Sequence, residues 1–135
     1  MSDHDPQDHA LEELTSAQCW ELIATQQVGR FAAPVTGDGP LVLPVNFVVD
    51  GEAIVFRSDY GSKLFVARDQ PVSFQVDELD AVHRGGWSVL LRGFAREVAQ
   101  SEVEHLSLSS WPAGERAHWI KIQATAVTGR RIQLG

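Results

Sequence analysis

The sequence predicts a mainly β protein, a six-stranded antiparallel barrel carrying short helices. From Gly29 onward, short apolar runs alternate with turn signals, the texture of antiparallel strands. There is no repeated βαβ unit and no GxGxxG, which excludes a Rossmann domain. Six strands on a chain of 135 residues favour closure, because a closed or partly closed barrel removes exposed edges.

Residues 1–10 are polar and acidic, with Pro6 and no apolar periodicity, and read as a disordered leader; residues 11–135 form one domain. Thr15 and Gln18 form a T-x-x-Q capping box, and Trp20, Ile23 and Ala24 recur at helical spacing, so a first helix spans about Ser16 to Gln26 and packs Trp20 on the domain. Arg30–Val35, Leu41–Val49 and Glu52–Ser58 read as three strands, with Gly37-Asp38-Gly39 and Asp50-Gly51 at hairpin turns. Pro44 cannot donate to a ladder, so it marks a bulge or an edge. Ser62 caps a short helix to about Arg68, closed by Pro71. Val72–Val76 and Trp87–Val98 are strands, the second long, with Gly93 allowing a bend or close approach. Ser101 and Glu104 form a capping box for a helix to about Leu108. Trp119–Val127 alternates as a half-buried strand, ended by Thr128-Gly129.

Composition narrows the function. A share of 44% hydrophobic and 21% charged residues is ordinary for a globular chain. The net charge of −7 argues against nucleic acid and anionic membrane surfaces as partners. Cys19 stands alone, so no intrachain disulfide forms, and no apolar stretch is long enough for a membrane span or signal peptide; cytoplasmic residence is the simplest reading. His4, His9, His83, His105 and His118 show no close metal-ligand spacing, and no dedicated metal site is expected.

The segment Ile54–Lys63, IVFRSDYGSK, carries the strongest chemical signal. A strand ending in Arg57 and Ser58 leads through a turn to Ser62 and Lys63 at a helix start, so two cations, two hydroxyls and helix N–H groups could converge as a phosphate pocket. Lys63 at a helix N-terminus opposes the macrodipole by roughly 0.3–1 kcal/mol unless an anion binds there. The plain alternative is that Ser62 only caps the helix and both cations are solvated. In Gly85–Gly93, Trp87 could offer an aromatic face to a planar ligand or simply be core, with Ser88 on the opposite side of the strand. Asn46, among Val45, Phe47 and Val48, reads as a buried amide that needs a partner, either a heterocycle edge or a strand neighbour. Cys19 reads as a packed residue rather than a nucleophile. His118 could be a ligand or proton donor, or structural. No residue shows a catalytic signature.

Taken together, GRFAAPV, LVLPVNFVVDG, IVFRSDYGSKL, VSFQVDELD, GGWSVLLRGFAREV and WIKI…TGRRI resemble the pyridoxamine 5′-phosphate oxidase-like FMN-binding split-barrel family, especially its short actinobacterial-type members, from Leu14 to Ile132. The resemblance implies a homodimer of six-stranded split barrels with FMN in clefts at the subunit interface. It implies that Phe56, Arg57, Ser58, Ser62 and Lys63 bind the cofactor, the last four holding its phosphate and ribityl chain. Val45 and Asn46 would lie near the isoalloxazine, with Trp87 and Ser88 reaching it, often from the partner. The chain carries LVLPVN where vitamin B6 oxidases open a strand with a basic residue, and TGRRIQLG where they have an arginine–histidine segment, so vitamin B6 oxidation is not implied. In nitroimidazole-reductase-like relatives a histidine often stands at the position of Arg57.

The expected function is a flavin-dependent oxidoreductase taking electrons from a nicotinamide donor to a small planar acceptor. One alternative is a reductase using the deazaflavin F420, whose acidic tail would need Arg30 or Arg68. Another is a non-catalytic flavin- or haem-binding storage protein, with His118 or His83 as an axial ligand.

Overall fold

The computed structural model describes residues 11–35, 37–58, 71–106 and 118–133. The strands are β1 (Leu11–Glu13), β2 (Val28–Val35), β3 (Asp38–Asp50), β4 (Ala53–Ser58), β5 (Val72–Asp80), β6 (Gly85–Val98) and β7 (His118–Gln133); the helices are α1 (Ser16–Ile23) and α2 (Gln100–Val103). All pairings are antiparallel, in the order β1-β7-β4-β3-β2-β5-β6, and a further β6–β7 ladder closes the sheet on itself. The closed ring thus holds six strands, β2 through β7, as the sequence predicts, while β1 is an appendage on the tail of β7.

Alternation builds the barrel core. On β5, Val72, Phe74 and Val76 are buried while Ser73, Gln75 and Asp77 stand half-exposed on the outside. Phe31, Phe56 and Phe74 meet inside, with ring centroids 5.1 Å apart for Phe31–Phe56 and 6.3 Å for Phe56–Phe74; Phe47 meets Phe74 edge-on at 5.1 Å. A smaller outer cluster of Val55, Val98 and Val103 seats α2 on the barrel wall.

The Thr15 box forms as predicted. Thr15 Oγ1 accepts from the Gln18 N–H at 3.1 Å, and Gln18 Oε1 accepts from the Thr15 N–H at 2.8 Å. α1 stops at Ile23 rather than Gln26, because the next amides turn back in tighter bonds, Thr25 N–H to Leu22 and Gln26 N–H to Ile23. Its Cys19 and Ile23 are fully buried and Trp20 packs on the core, as expected. Burial pushes the Cys19 thiol pKa up, the property of a packed residue rather than a nucleophile.

Several boundaries differ from the sequence reading. β2, β3, β5 and β6 run longer, and Asp38 and Gly39 belong to β3 rather than to the turn. β7 continues through Thr128-Gly129 to Gln133. Gly129 is there for space: a Cβ would lie 2.8 Å from Cys19 Sγ, so this glycine lets α1 lie on the sheet. Gly93 answers to the close approach foreseen for it, since its Cβ would fall 2.0 Å from the Gln123 carbonyl, next to a register shift in the β6–β7 ladder. The Ser101 capping box does not form. α2 starts from Ala99, which caps without a side-chain bond, and ends at Val103; Glu102 is held by Arg96 at 3.1 Å. Pro44 lies opposite Arg30, in the half of β3 that pairs, among the described residues, with β2 alone, so its other side is an edge among them. The expected leader and the Ser62–Arg68 helix lie outside the described residues.

The Asp50-Gly51 hairpin forms as predicted, with Gly51 at φ 62°. Asp50 also ties the fold together. One carboxylate oxygen faces His105 Nε2 at 3.3 Å and the other accepts from Lys121 Nζ at 3.3 Å. The His105 hydrogen bond first, then Lys121, holds the Asp50 pKa below its ordinary 3.8. A lowered folded pKa adds stability above the ordinary value, and this is lost as pH falls through the folded one. The stability gap between wild type and Asp50→Asn, read as urea midpoints at stepped pH, is therefore expected to narrow as pH falls below that range. An equal gap at every pH would deny the cluster this role.

Among the described residues, no helix is long and apolar enough to cross a membrane, and no group of three His, Cys, Asp or Glu side chains could hold a metal ion.

Candidate functional site

The site begins where β3 and β4 part. Their last paired residues are Phe47 and Phe56; beyond them β3 continues on β2, with Val28 opposite Asn46, while β4 continues on β7, with Arg57 opposite Trp119 and Ser58 opposite His118. Five predicted residues, Val45, Asn46, Phe56, Arg57 and Ser58, therefore surround one fork in the barrel wall.

Strand alternation sorts them. Asn46 and Arg57 share the outer side of the fork, and Val45 and Ser58 the inner side. Arg57 and Ser58 thus leave β4 on opposite faces, and a ligand touching both must straddle the strand end. Ser58 is 6% exposed, and Phe56 is wholly buried in the aromatic core. Asn46 is exposed, contrary to the buried amide expected from its apolar neighbours, because its parity along β3 points it outward while Phe47 takes the core. Arg57 makes no ion pair with a described residue, whereas Arg30, Arg96 and Lys121 all do. Ser62 and Lys63 lie outside the described residues.

His118, opposite Ser58, is held through Nδ1 by Glu97 at 2.9 Å. His83 is held by Asp80 in the β5–β6 turn. The two histidines that the sequence offered as ligands are thus both engaged by carboxylates.

Trp87 and Ser88 lie elsewhere. Trp87 is 5% exposed and belongs to the barrel core, whereas Ser88 faces outward. Ser88 lines a cavity of about 540 Å³ with Glu13, Leu14, Leu90, Thr128 and Arg130, between β6, β7 and the entry to α1. That volume falls within the ordinary range for small-molecule sites. The sequence reading missed the residues that back this cavity. Gln75 Nε2 donates to Ser88 Oγ at 3.1 Å and to Asp77 Oδ2 at 2.8 Å, and Gln75 Oε1 accepts from Arg30 at 3.1 Å. Their period-two spacing on β5, opposite Phe74 and Val76, was the available signal.

The fold is thus a split barrel with a cationic fork and a polar-backed cavity in its wall. The chain belongs to the pyridoxamine 5′-phosphate oxidase family, whose pattern matches residues 15–131. Among solved structures it is similar to the FAD binding protein from Mycobacterium smegmatis, with 31% identity, a TM-score of 0.70 and coverage of 92% of this chain and 100% of that one. A conserved protein of unknown function from Corynebacterium diphtheriae matches at 30% identity and a TM-score of 0.75, covering 91% and 98% of the two chains. The uncharacterized protein Rv0080 of Mycobacterium tuberculosis is 29% identical over 130 residues, which is 89% of this chain and 84% of its own.

Proposed function

We propose that two copies of this chain hold a flavin mononucleotide between them and act as an oxidoreductase, taking electrons from a nicotinamide donor to a small planar acceptor. The observation that carries this reading is the fork: Arg57, without a carboxylate partner among the described residues, beside Ser58 at the C-terminal end of β4 in a chain of this family. The likeness to the M. smegmatis protein, described as FAD binding, supports a flavin.

The donor set fits that ligand. The Arg57 guanidinium suits a phosphate group, Ser58 on the opposite face is reached only by a ligand that straddles the strand end, and the sequence motif adds Ser62 and Lys63. Ser88 and Arg130 offer polar contacts at the edge of a cavity floored by Leu90 and Leu14, which suits a flat heterocycle with a polar rim. The pairing of two copies is taken from the family, in whose split barrels the strand matching Trp87 and Ser88 reaches the cofactor from the partner subunit.

When bound, a flavin supplies the electron-transfer chemistry, and the protein supplies position and shielding. Arg57 neutralises phosphate charge, Ser88 orients the ring edge, and Leu90 with Leu14 keeps water from one side of it.

Purifying the protein after separate incubation with FMN, FAD, F420 and haem tests the reading. FMN is expected to be retained, on a two-chain particle, and the loaded protein to oxidise a nicotinamide in the presence of an acceptor. A Soret band with no flavin retained would establish the haem storage alternative instead, and retention of F420 alone the deazaflavin one.

A further inference from the structure

The polar chain behind the cavity fixes a proton. Arg30 on β2 lies opposite Gln75 on β5, and Asp77 on β5 lies opposite Ser88 on β6, all on the outer wall of the barrel. Which end of a glutamine amide is oxygen is set by its neighbours. Here two neighbours agree. Arg30 can only donate, so the atom 3.1 Å from its guanidinium is the amide oxygen. The Asp77 carboxylate can only accept, so the atom 2.8 Å from it is the amide nitrogen. The second hydrogen of that nitrogen goes to Ser88 Oγ at 3.1 Å. Arg30 and Asp77 also face each other at 3.5 Å, which closes the arrangement.

Ser88 is therefore an acceptor on its protein side, and it makes no other hydrogen bond with a described residue. Its own proton is left for the cavity it lines. We propose that Ser88 is a specificity-determining donor, presenting O–H to an acceptor atom of the bound heterocycle, a carbonyl oxygen or unprotonated ring nitrogen. Gln75 is the positioning residue that imposes this direction, itself held by Arg30 and Asp77. The inference rests on the flavin reading above and adds which kind of ring atom faces Ser88. A ring N–H turned toward Ser88 would meet a hydroxyl whose proton points at it.

Gln75→Glu tests the direction with little change of shape. It replaces the amide donor by a carboxylate, so the Ser88 proton turns to Glu and away from the cavity. Flavin affinity by fluorescence titration and the position of the visible flavin band are the two readings. Ser88→Ala is expected to weaken flavin about three- to tenfold, the worth of one ordinary hydrogen bond. Gln75→Glu should match it in affinity and band shift, the double variant should lose no more than either single, and Ser88→Thr should restore wild-type behaviour. Should Gln75→Glu not fold, Gln75→Leu removes the donor without adding charge and should weaken flavin by a smaller factor.

Wild-type affinity and spectrum in either Gln75 variant, beside a weakened Ser88→Ala, would overturn the positioning role; an unaffected Ser88→Ala would overturn the donor itself. In both cases flavin still binds wild type and Arg57→Ala still weakens it, so the flavin reading survives. A wild-type protein that binds no flavin overturns both.

Discussion

Arg57→Ala combined with Lys63→Ala is expected to strip the flavin from the protein while leaving the barrel folded. Each cation would make charge-assisted hydrogen bonds to a phosphate, of about 1.5–3 kcal/mol apiece, so losing both lowers affinity by about two to four orders of magnitude. Arg57 alone should account for a large part, since no described carboxylate competes for it. The fold should survive, because Arg57 stands half-exposed at the last turn of the ladder, and the buried residues Ile54, Val55 and Phe56 precede it. Melting temperature and equilibrium dialysis against FMN, measured on the same preparations, separate the two effects. A double variant that binds FMN like wild type would remove the fork as the phosphate anchor.

Phe74→Ala is expected to cost about 3–5 kcal/mol of unfolding free energy, a large fraction of the 5–15 kcal/mol that a domain of this kind has. Phe74 is 1% exposed and touches both Phe47 and Phe56, so it joins β3 to β4 across the barrel interior just behind the fork. Gly29 makes room for it: a Cβ there would lie 2.5 Å from the Phe74 ring. The neighbours cannot collapse fully into the space left, because the strands that carry them are fixed by their ladders. Urea unfolding followed by Trp fluorescence reads the loss. A midpoint within error of wild type would show that the barrel interior is not packed as described. Phe74→Leu, which retains much of the volume, should recover part of the stability.

Both predictions depend on features with very different visibility in the sequence. The Thr15-Gln18 box and the Asp50-Gly51 hairpin could be read because their determinants are local: a side chain and a backbone group three residues apart, and a glycine that accepts positive φ. The six-stranded ring was legible from spacing for the same reason. What could not be read was decided across strands. β1 has no apolar run and exists only because β7 extends to meet it. Gly129 looks like a turn residue until the Cys19 sulfur is seen above it. Asn46 sits in an apolar stretch yet points outward, since parity rather than neighbour polarity decides the face. The α2 frame follows Val103, which must reach Val55 and Val98, and that need overrode the Ser101 capping box. The Arg30–Gln75–Asp77–Ser88 chain joins residues from three strands, and only their common parity announced it.

The central claim, that one fork and one cavity from two copies make a flavin site, is tested most directly by titrating the purified protein with FMN and following quenching of flavin fluorescence. Saturation at one FMN per chain, with sedimentation giving a two-chain particle, is the predicted result. An absence of saturable quenching, or saturation by a protein that stays a single chain, would contradict it.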